Sequence, residues 1–343
     1  MTTAENPTAG ASHIAGFWRR LFAFILDVLV LGVFGACLGL VSYDYLASVG
    51  GWGRIIGFVI ALTYLGVMNS RIFGGQTLGK MVMKIKVVSS NGAPLNVAAS
   101  FCRSGILCVP YFLNGAPFDV DLLRSWFVVV LTLLVFGVGL SVVYLFIFNR
   151  RTRQSLHDLA VGSYVVKTGA ETVPQLFGAP WRGHFAVVAV IMVLAGAAPI
   201  FTGRLAQTEP FTSLLLLQKA LASEPGIRHV TVQVGTSSVA SFQKGTQSTT
   251  NLSAQVITES KDLDREALAN KIAQIALSSY AEASKKDSIA VSFAYGYDIG
   301  IASAWQSQNF AYSPAQWRGR LTPKSSSLPP TDASNAPAPE AGR

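Results

Sequence analysis

Asp27 stands inside the run Leu21–Val41, twenty-one residues that carry no other charge. Such a run is enough helix to cross a hydrocarbon core of ~30 Å. A carboxylate at that depth costs ~3 kcal/mol on insertion scales, so it must face the protein interior and find a partner there. The chemistry open to it is ion pairing, proton uptake or contact with a cation in transit. Arg20, seven residues earlier, lies about 20° from the same helix face and roughly 10 Å along the axis, which places it at the membrane boundary. Arg103 sits six residues into a later apolar segment that starts at Val97. Its depth is then similar to that of Asp27, roughly 9 Å, and it is the predicted partner. The Asp27–Arg103 pair reads either as a structural ion pair that fixes helix packing or as a station on an ion pathway.

Two further groups invite chemistry. His157 adjoins Asp158, but the chain has only four histidines, and His13, His184 and His229 show no ligand spacing with it. No metal site is expected, and His157 reads as a juxtamembrane hydrogen-bond or salt-bridge residue. The stretch "GGQTLGKM", residues 74–81, begins like a phosphate-cradling loop. Met81 stands where a magnesium-holding Ser or Thr belongs, and an apolar helix precedes the stretch where a buried strand should be. Gly75, Thr77, Gly79 and Lys80, with His157, are instead assigned to a motif on the cytoplasmic face. Lys80 would sit there among anionic headgroups, followed by an extended pair, "KIKVVSSNGAPL", that turns at Asn91-Gly92. No nucleophile elbow, zinc spacing or carboxylate pair stands out, so neither a catalytic residue nor a cofactor is expected and the chain does not read as an enzyme.

The elements that must position these residues are membrane helices. Half of the 343 residues are hydrophobic and 13% are charged, too apolar a balance for an ordinary soluble chain of this length. The net charge of +9 divides into 14 Lys/Arg against 7 Asp/Glu for residues 1–183 and 13 against 11 for the remainder. The basic excess thus belongs to membrane topology and excludes a nucleic-acid reading. After the first run, spans are predicted at 51–69, 97–116, 126–148 and 184–201. If 97–116 crosses rather than lying at the interface, Arg19, Arg20 and the loops holding Lys80, Lys84, Lys86, Arg150, Arg151 and Arg153 all face the cytoplasm. Residues 42–50 and 115–121, which lack Lys and Arg, then face outward. Cys37, Cys102 and Cys108 fall in predicted spans, where a thiol packs as a small apolar group. The first run is too long, and too interrupted by Asp27, to read as a cleaved signal. Gly32, Gly35, Ala36 and Gly39 form a small-residue stripe suited to close packing against another helix.

Beyond residue 203 the pattern becomes that of a soluble domain. Helices are expected at 211–223 and about 263–284, and strands in "IRHVTVQV", "NLSAQVITE", "SIAVSFAYGYDIGIASAW" and "QNFAYS". The order α-β-β-α-β-β suggests an α+β domain. Tyr295, Tyr297 and Trp305 alternate in a strand and are read as core or sheet face. The expected layout is a cytoplasmic tail (1–15), a four-span domain (16–168), a cytoplasmic linker (169–183), a fifth span (184–202), an extracytoplasmic domain (203–320) and a Pro/Ser/Ala-rich disordered tail (321–343).

"GFWRRLFAFILD", "GGQTLGKMVMKIKVV" and "RRTRQSLHDLAVGSYVV", in that order, resemble the RDD family of bacterial multi-pass membrane proteins over about residues 14–167. By motif position the family's arginine and two aspartates fall on Arg20, Asp27 and Asp158. The resemblance implies an inner-membrane protein in which transport is suspected, and it is silent on residues 184–343. The expected function is movement of ions or small solutes with use of the intramembrane carboxylate, with an anchor or scaffold that recruits a partner as the alternative. Expected partners are the lipid bilayer, a second copy of the chain and an extracytoplasmic protein, and no nucleic acid.

Overall fold

The computed structural model describes residues 13–118, 122, 125–169, 179–241 and 245–321. The linker and tail expected at 169–183 and 321–343 therefore lie largely outside the described residues, as does most of the expected N-terminal tail. Among the described residues, three helical stretches are long and apolar enough to cross a membrane: Phe17–Met68, Phe127–Phe148 and Gly183–Leu205. Within the first, α1 (Phe17–Val49) bends at Ser42, closes on Gly50, whose positive φ lets its N–H reach Leu46 O, and passes through a short 3-10 turn into α2 (Gly53–Met68). At 33 residues α1 is roughly 50 Å long, more than a hydrocarbon core requires. Its outward face carries Trp18, Phe22, Val33, Leu40 and Val41, exposed apolar residues of the kind that suit lipid.

The short helix α3 (Leu78–Val82) leads into strand β1 (Ile85–Ser89), and α4 (Val97–Leu113) follows. Helix α4 starts where the third span was expected, with Asn96 capping it through Ala99 N–H. Its 17 residues make it a shorter apolar helix than the three long stretches. It packs on α2, where Gly57 and Gly66 leave room for the rings of Phe112 and Phe101 and Ala61 shares a buried cluster with Cys108. Ser100 Oγ donates to Gly66 O at 2.6 Å across that seam. Helix α5 (Phe127–Phe148) contains a π-helical stretch at Leu133–Val138 and packs against α7 (Gly183–Leu205), where Gly137 meets Met192 and Ala195.

Between them come α6 (Leu156–Ala160) and β2 (Ser163–Lys167). Strand β1 does not fold back on its own neighbours, as the Asn91-Gly92 turn suggested. It pairs antiparallel with β2, in a register that opposes Val87 to Val165, and Ile14 adds a bridge to Val166. The turn at Gly92, with φ of 81°, only reverses the chain toward α4. This two-stranded ribbon ties two distant segments of sequence into one layer, and Ile85, Val87 and Val165 bury their side chains with Ala15, Ala23 and Leu95.

The remaining elements are α8 (Phe211–Ala222), β3 (Ile227–Ser241), β4 (Gly245–Thr258), α9 (Arg265–Ser279), β5 (Ser288–Asp298), β6 (Ser303–Tyr312) and α10 (Pro314–Leu321). The α-β-β-α-β-β order is present, with one helix added, and the strands follow the order β3-β4-β5-β6. Asp264 caps α9 by accepting from Glu266 and Ala267 N–H. Leu268, Ile272 and Ala276 recur at helical spacing on its buried face. Trp317 of α10 is fully buried and donates from Nε1 to Ile289 O at 3.0 Å.

Two compact units divide the chain. One holds the residues up to Leu215 with Ile257–Lys261 and Ala294–Gln308, and the other holds Leu216–Val256, Asp262–Phe293 and the residues from Asn309. The tip of the β5–β6 hairpin thus belongs to the helical unit. There Tyr297, Ile299 and Leu46 form a buried cluster, and Tyr111 Oη donates to Gly300 O at 2.7 Å. The stripe Gly35 and Gly39 of α1 faces this tip rather than another helix, and a Cβ at either position would overlap Ile301 or Tyr297. Helix–helix packing was the expectation, but the groove left by missing side chains accepts any close-fitting chain. Ala36 is exposed, while Tyr295 and Tyr297 are buried and Trp305 is exposed.

Candidate functional site

Helix α1 buries Arg20, Ala23, Asp27, Leu31, Gly35 and Gly39, a face that advances by three or four residues each time. Arg20 and Asp27 therefore point the same way, as their spacing predicts. They do not meet the same partner.

Asp158 is the third residue of α6 and closes a capping box with Ser155 there, accepting from Ser155 N–H at 3.2 Å. The same carboxylate takes Arg20 Nη2 on Oδ2 at 2.7 Å and Arg103 on Oδ1, from Nε at 2.9 Å and from Nη2 at 2.8 Å. Ser163 Oγ donates to Oδ1 at 3.1 Å, and His157 Nε2 lies 3.6 Å from Oδ2. Burial pushes the Asp158 carboxyl up, but the guanidiniums of Arg103 and Arg20 override it and hold the group well below the usual carboxylate range. His157 is lowered to about 3 by burial, with Arg103 and Arg20 adding to the effect against the pull of Asp158. It is neutral at physiological pH.

Asp27 is served by a different segment. Oδ1 accepts from Tyr64 Oη at 2.8 Å and from Gly79 N–H at 2.8 Å, and Oδ2 accepts from Thr77 Oγ1 at 2.6 Å. Lys80 Nζ stands 3.9 Å from Oδ2. The "GGQTLGK" stretch is thereby explained. Thr77 caps α3, Gly75 occupies a positive-φ turn (77°) against β1, and a Cβ on Gly79 would strike Ala23 O of α1. The N–H that a phosphate loop would offer a nucleotide is spent on Asp27. Lys80 is lowered to about 8, chiefly by burial and then by Arg103, with Asp27 opposing.

The Asp27–Arg103 pair expected from depth is not formed, because Arg103 turns to Asp158. Depth along a helix axis says nothing of azimuth, and the ribbon β1–β2 delivers α6 to the side of α4 that Arg103 faces. Both residues nevertheless reach one cavity of about 240 Å³, whose wall also includes Arg20, Asn69, Lys80, Ser104 and His157. Three buried atoms of that wall, Asn69 Oδ1, Ser104 Oγ and His157 Nδ1, have no hydrogen-bond partner among the described residues. Sequence reading missed Tyr64, Asn69 and Ser104. The available signal was weak, a polar side chain within or at the end of an apolar segment. No group of three or more metal-ligating side chains occurs among the described residues.

Residues 14–162 match the RDD family. Over 151 residues the chain is 24% identical to the uncharacterized protein YckC of Bacillus subtilis (strain 168), a match that covers 44% of this chain and 83% of YckC. No solved structure matches the chain. The matched region contains Arg20, Asp27 and Asp158, the three residues around which the buried charges are organised. The resemblance to the RDD family is confined to residues 14–162, the segment that holds all three of these residues.

Proposed function

We propose that this chain is a bacterial inner-membrane protein that moves an ion or small solute through the charged cavity of its RDD domain. The observation that carries this reading is that Arg20, Asp27 and Arg103, all buried, and the half-buried Lys80 line one space in an apolar helical unit, with the buried Asp158 holding both arginines from outside that space. Buried charge of this kind is costly in a membrane and is by default a candidate for an ion or solute pathway. The topology that accompanies the proposal has five spans, with α4 crossing, a cytoplasmic N-terminus and an extracytoplasmic C-terminal domain. It is supported by the concentration of Lys and Arg in the loops on one side. Labelling of a Ser248→Cys variant from the outside only is expected, and labelling from the cytoplasm only would overturn the topology.

Purified protein in liposomes tests the activity. Flux of a monovalent ion or small solute that falls at least tenfold with Lys80→Met is the expected result. A second reading is favoured by one specific feature: both family carboxylates are saturated with internal donors, as a purely structural lock would require. On that reading the domain anchors the chain and the C-terminal domain recruits a protein partner. Absence of any flux, with a partner cross-linked through the C-terminal domain, would favour it.

A further inference from the structure

The charges and the unpartnered atoms around the cavity describe the chemistry of what fits it. Three cationic side chains, Arg20, Lys80 and Arg103, line the cavity with one carboxylate, Asp27, and even with Asp158, which pairs with both arginines from outside the wall, the group carries one positive charge in excess. The carboxylates have no capacity left over. Asp158 is divided between two guanidiniums, a backbone N–H and a hydroxyl, and Asp27 takes two hydroxyls and an N–H, leaving Lys80 at 3.9 Å. A surplus cation out of water is stabilised by a counter-charge within a few ångströms.

The unpartnered atoms add a second requirement. Asn69 is 1% exposed and Ser104 is 2% exposed, yet Asn69 Oδ1 and Ser104 Oγ meet no donor or acceptor among the described residues. Asn69 Nδ2 is committed to Leu65 O at 2.7 Å, so the oxygen, a pure acceptor, is the end left over. His157 Nε2 lies 3.6 Å from Asp158 Oδ2, and Nδ1, the ring atom without a partner, is an acceptor in the tautomer that keeps the proton on the Asp158 side. Acceptors call for ligand donors. The rest of the wall, including Leu65, Leu107 and Phe146, is apolar and suits a short hydrocarbon part.

We infer that this cavity binds a hydroxylated monovalent oxyanion, its negative charge toward Lys80 and Arg103 and its O–H toward Ser104, Asn69 and His157. Short hydroxycarboxylates, hydrogencarbonate and the phosphatidylglycerol headgroup share this chemistry. The inference rests on the cavity assigned above to transport and names the class of its occupant. It differs from a cation pathway in the sign of the ligand's charge.

The test is direct binding to the full chain in lipid-free detergent, read by thermal stability and by radiolabelled lactate retained on the protein. Lactate and hydrogencarbonate should stabilise saturably, with acetate, which lacks the hydroxyl, at least tenfold weaker and sodium or potassium varied at constant anion without effect. Lys80→Met should weaken lactate at least tenfold. Ser104→Ala, which removes one atom and leaves the fold intact, should narrow the gap between lactate and acetate. Stabilisation by phosphatidylglycerol in mixed micelles and by no free anion would assign the same site to a headgroup. Stabilisation by neither, or by acetate and lactate alike, would overturn the inference. Saturable lactate binding without liposome flux would remove the transport reading and leave this one standing, and cation flux without anion binding would do the reverse.

Discussion

The helical unit is held by two kinds of join roughly 18 Å apart along α1, the distance from Asp27 to Gly39 at the helical rise. At the first, charges are buried and every carboxylate oxygen is used. At the second, the tip of the β5–β6 hairpin fits into a groove made by Gly35, Gly39, Gly53 and Gly57, and the polar contacts are few. The first join is specific in chemistry and intolerant of losing a partner. The second is specific in shape and intolerant of gaining an atom. The contrast predicts opposite responses to opposite substitutions, and the effects can be ranked.

The largest effect is expected at Asp158. Asp158→Asn leaves two buried guanidiniums against a neutral amide, a loss of about 3–5 kcal/mol, read as collapse of the melting temperature and of the monodisperse peak in detergent. Acid should act in the same direction. His157 has a folded value of about 3 against an ordinary 6.5, so the unfolded chain takes up its proton first and stability falls as pH drops from 6.5 toward 3. Asp158, held below its ordinary 3.8, adds a further loss as pH falls below that value. In His157→Gln the first part of this decline should flatten while the second remains.

Asp27→Asn should cost less, about 1–3 kcal/mol, because Tyr64 and Gly79 can still donate to an amide oxygen at the Oδ1 position, and the Thr77 hydroxyl can turn to accept from the amide nitrogen at Oδ2. Limited proteolysis within residues 74–82 should report the freed α3. At the shape-specific join the damage comes from addition. Gly39→Ala, whose Cβ would overlap the Tyr297 ring and hydroxyl, should cost about 1–3 kcal/mol. Combining it with Tyr297→Ala should cost less than the two changes summed, a coupling that thermal melts of the four variants would resolve. The smallest effect belongs to the ion pair at the same join. Arg54 stands 3.6 Å from Asp298, both side chains partly exposed. Arg54→Gln should change stability by less than about 1 kcal/mol, and a loss comparable to that of Asp27→Asn would erase the distinction between the joins.

Much of the charged join was legible in the sequence. A carboxylate in an apolar run announces itself, seven-residue spacing puts Arg20 on its face, and three ordered motifs carry the resemblance to the RDD family that residues 14–162 match. Who pairs with whom was not legible, because it depends on the β1–β2 ribbon, which joins segments some eighty residues apart and brings α6 under α4. Local turn chemistry at Asn91-Gly92 pointed to a hairpin, and the long-range partner prevailed because Tyr164, Val165 and Val166 bury against β1. The glycine stripe was legible as a groove but not its occupant. A sequence displays missing side chains and cannot display which distant chain fills the space.

The pairing itself is the central claim, and a pair of double-mutant cycles tests it most directly. Stability in detergent would be measured for Arg103→Gln, Asp158→Asn and Asp27→Asn, alone and in the combinations Arg103/Asp158 and Arg103/Asp27. The Arg103/Asp158 double mutant should recover at least about 1 kcal/mol of the summed single losses, and the losses at Arg103 and Asp27 should add within about 0.5 kcal/mol. Strong coupling of Arg103 to Asp27, with Asp158 additive, would contradict that pairing.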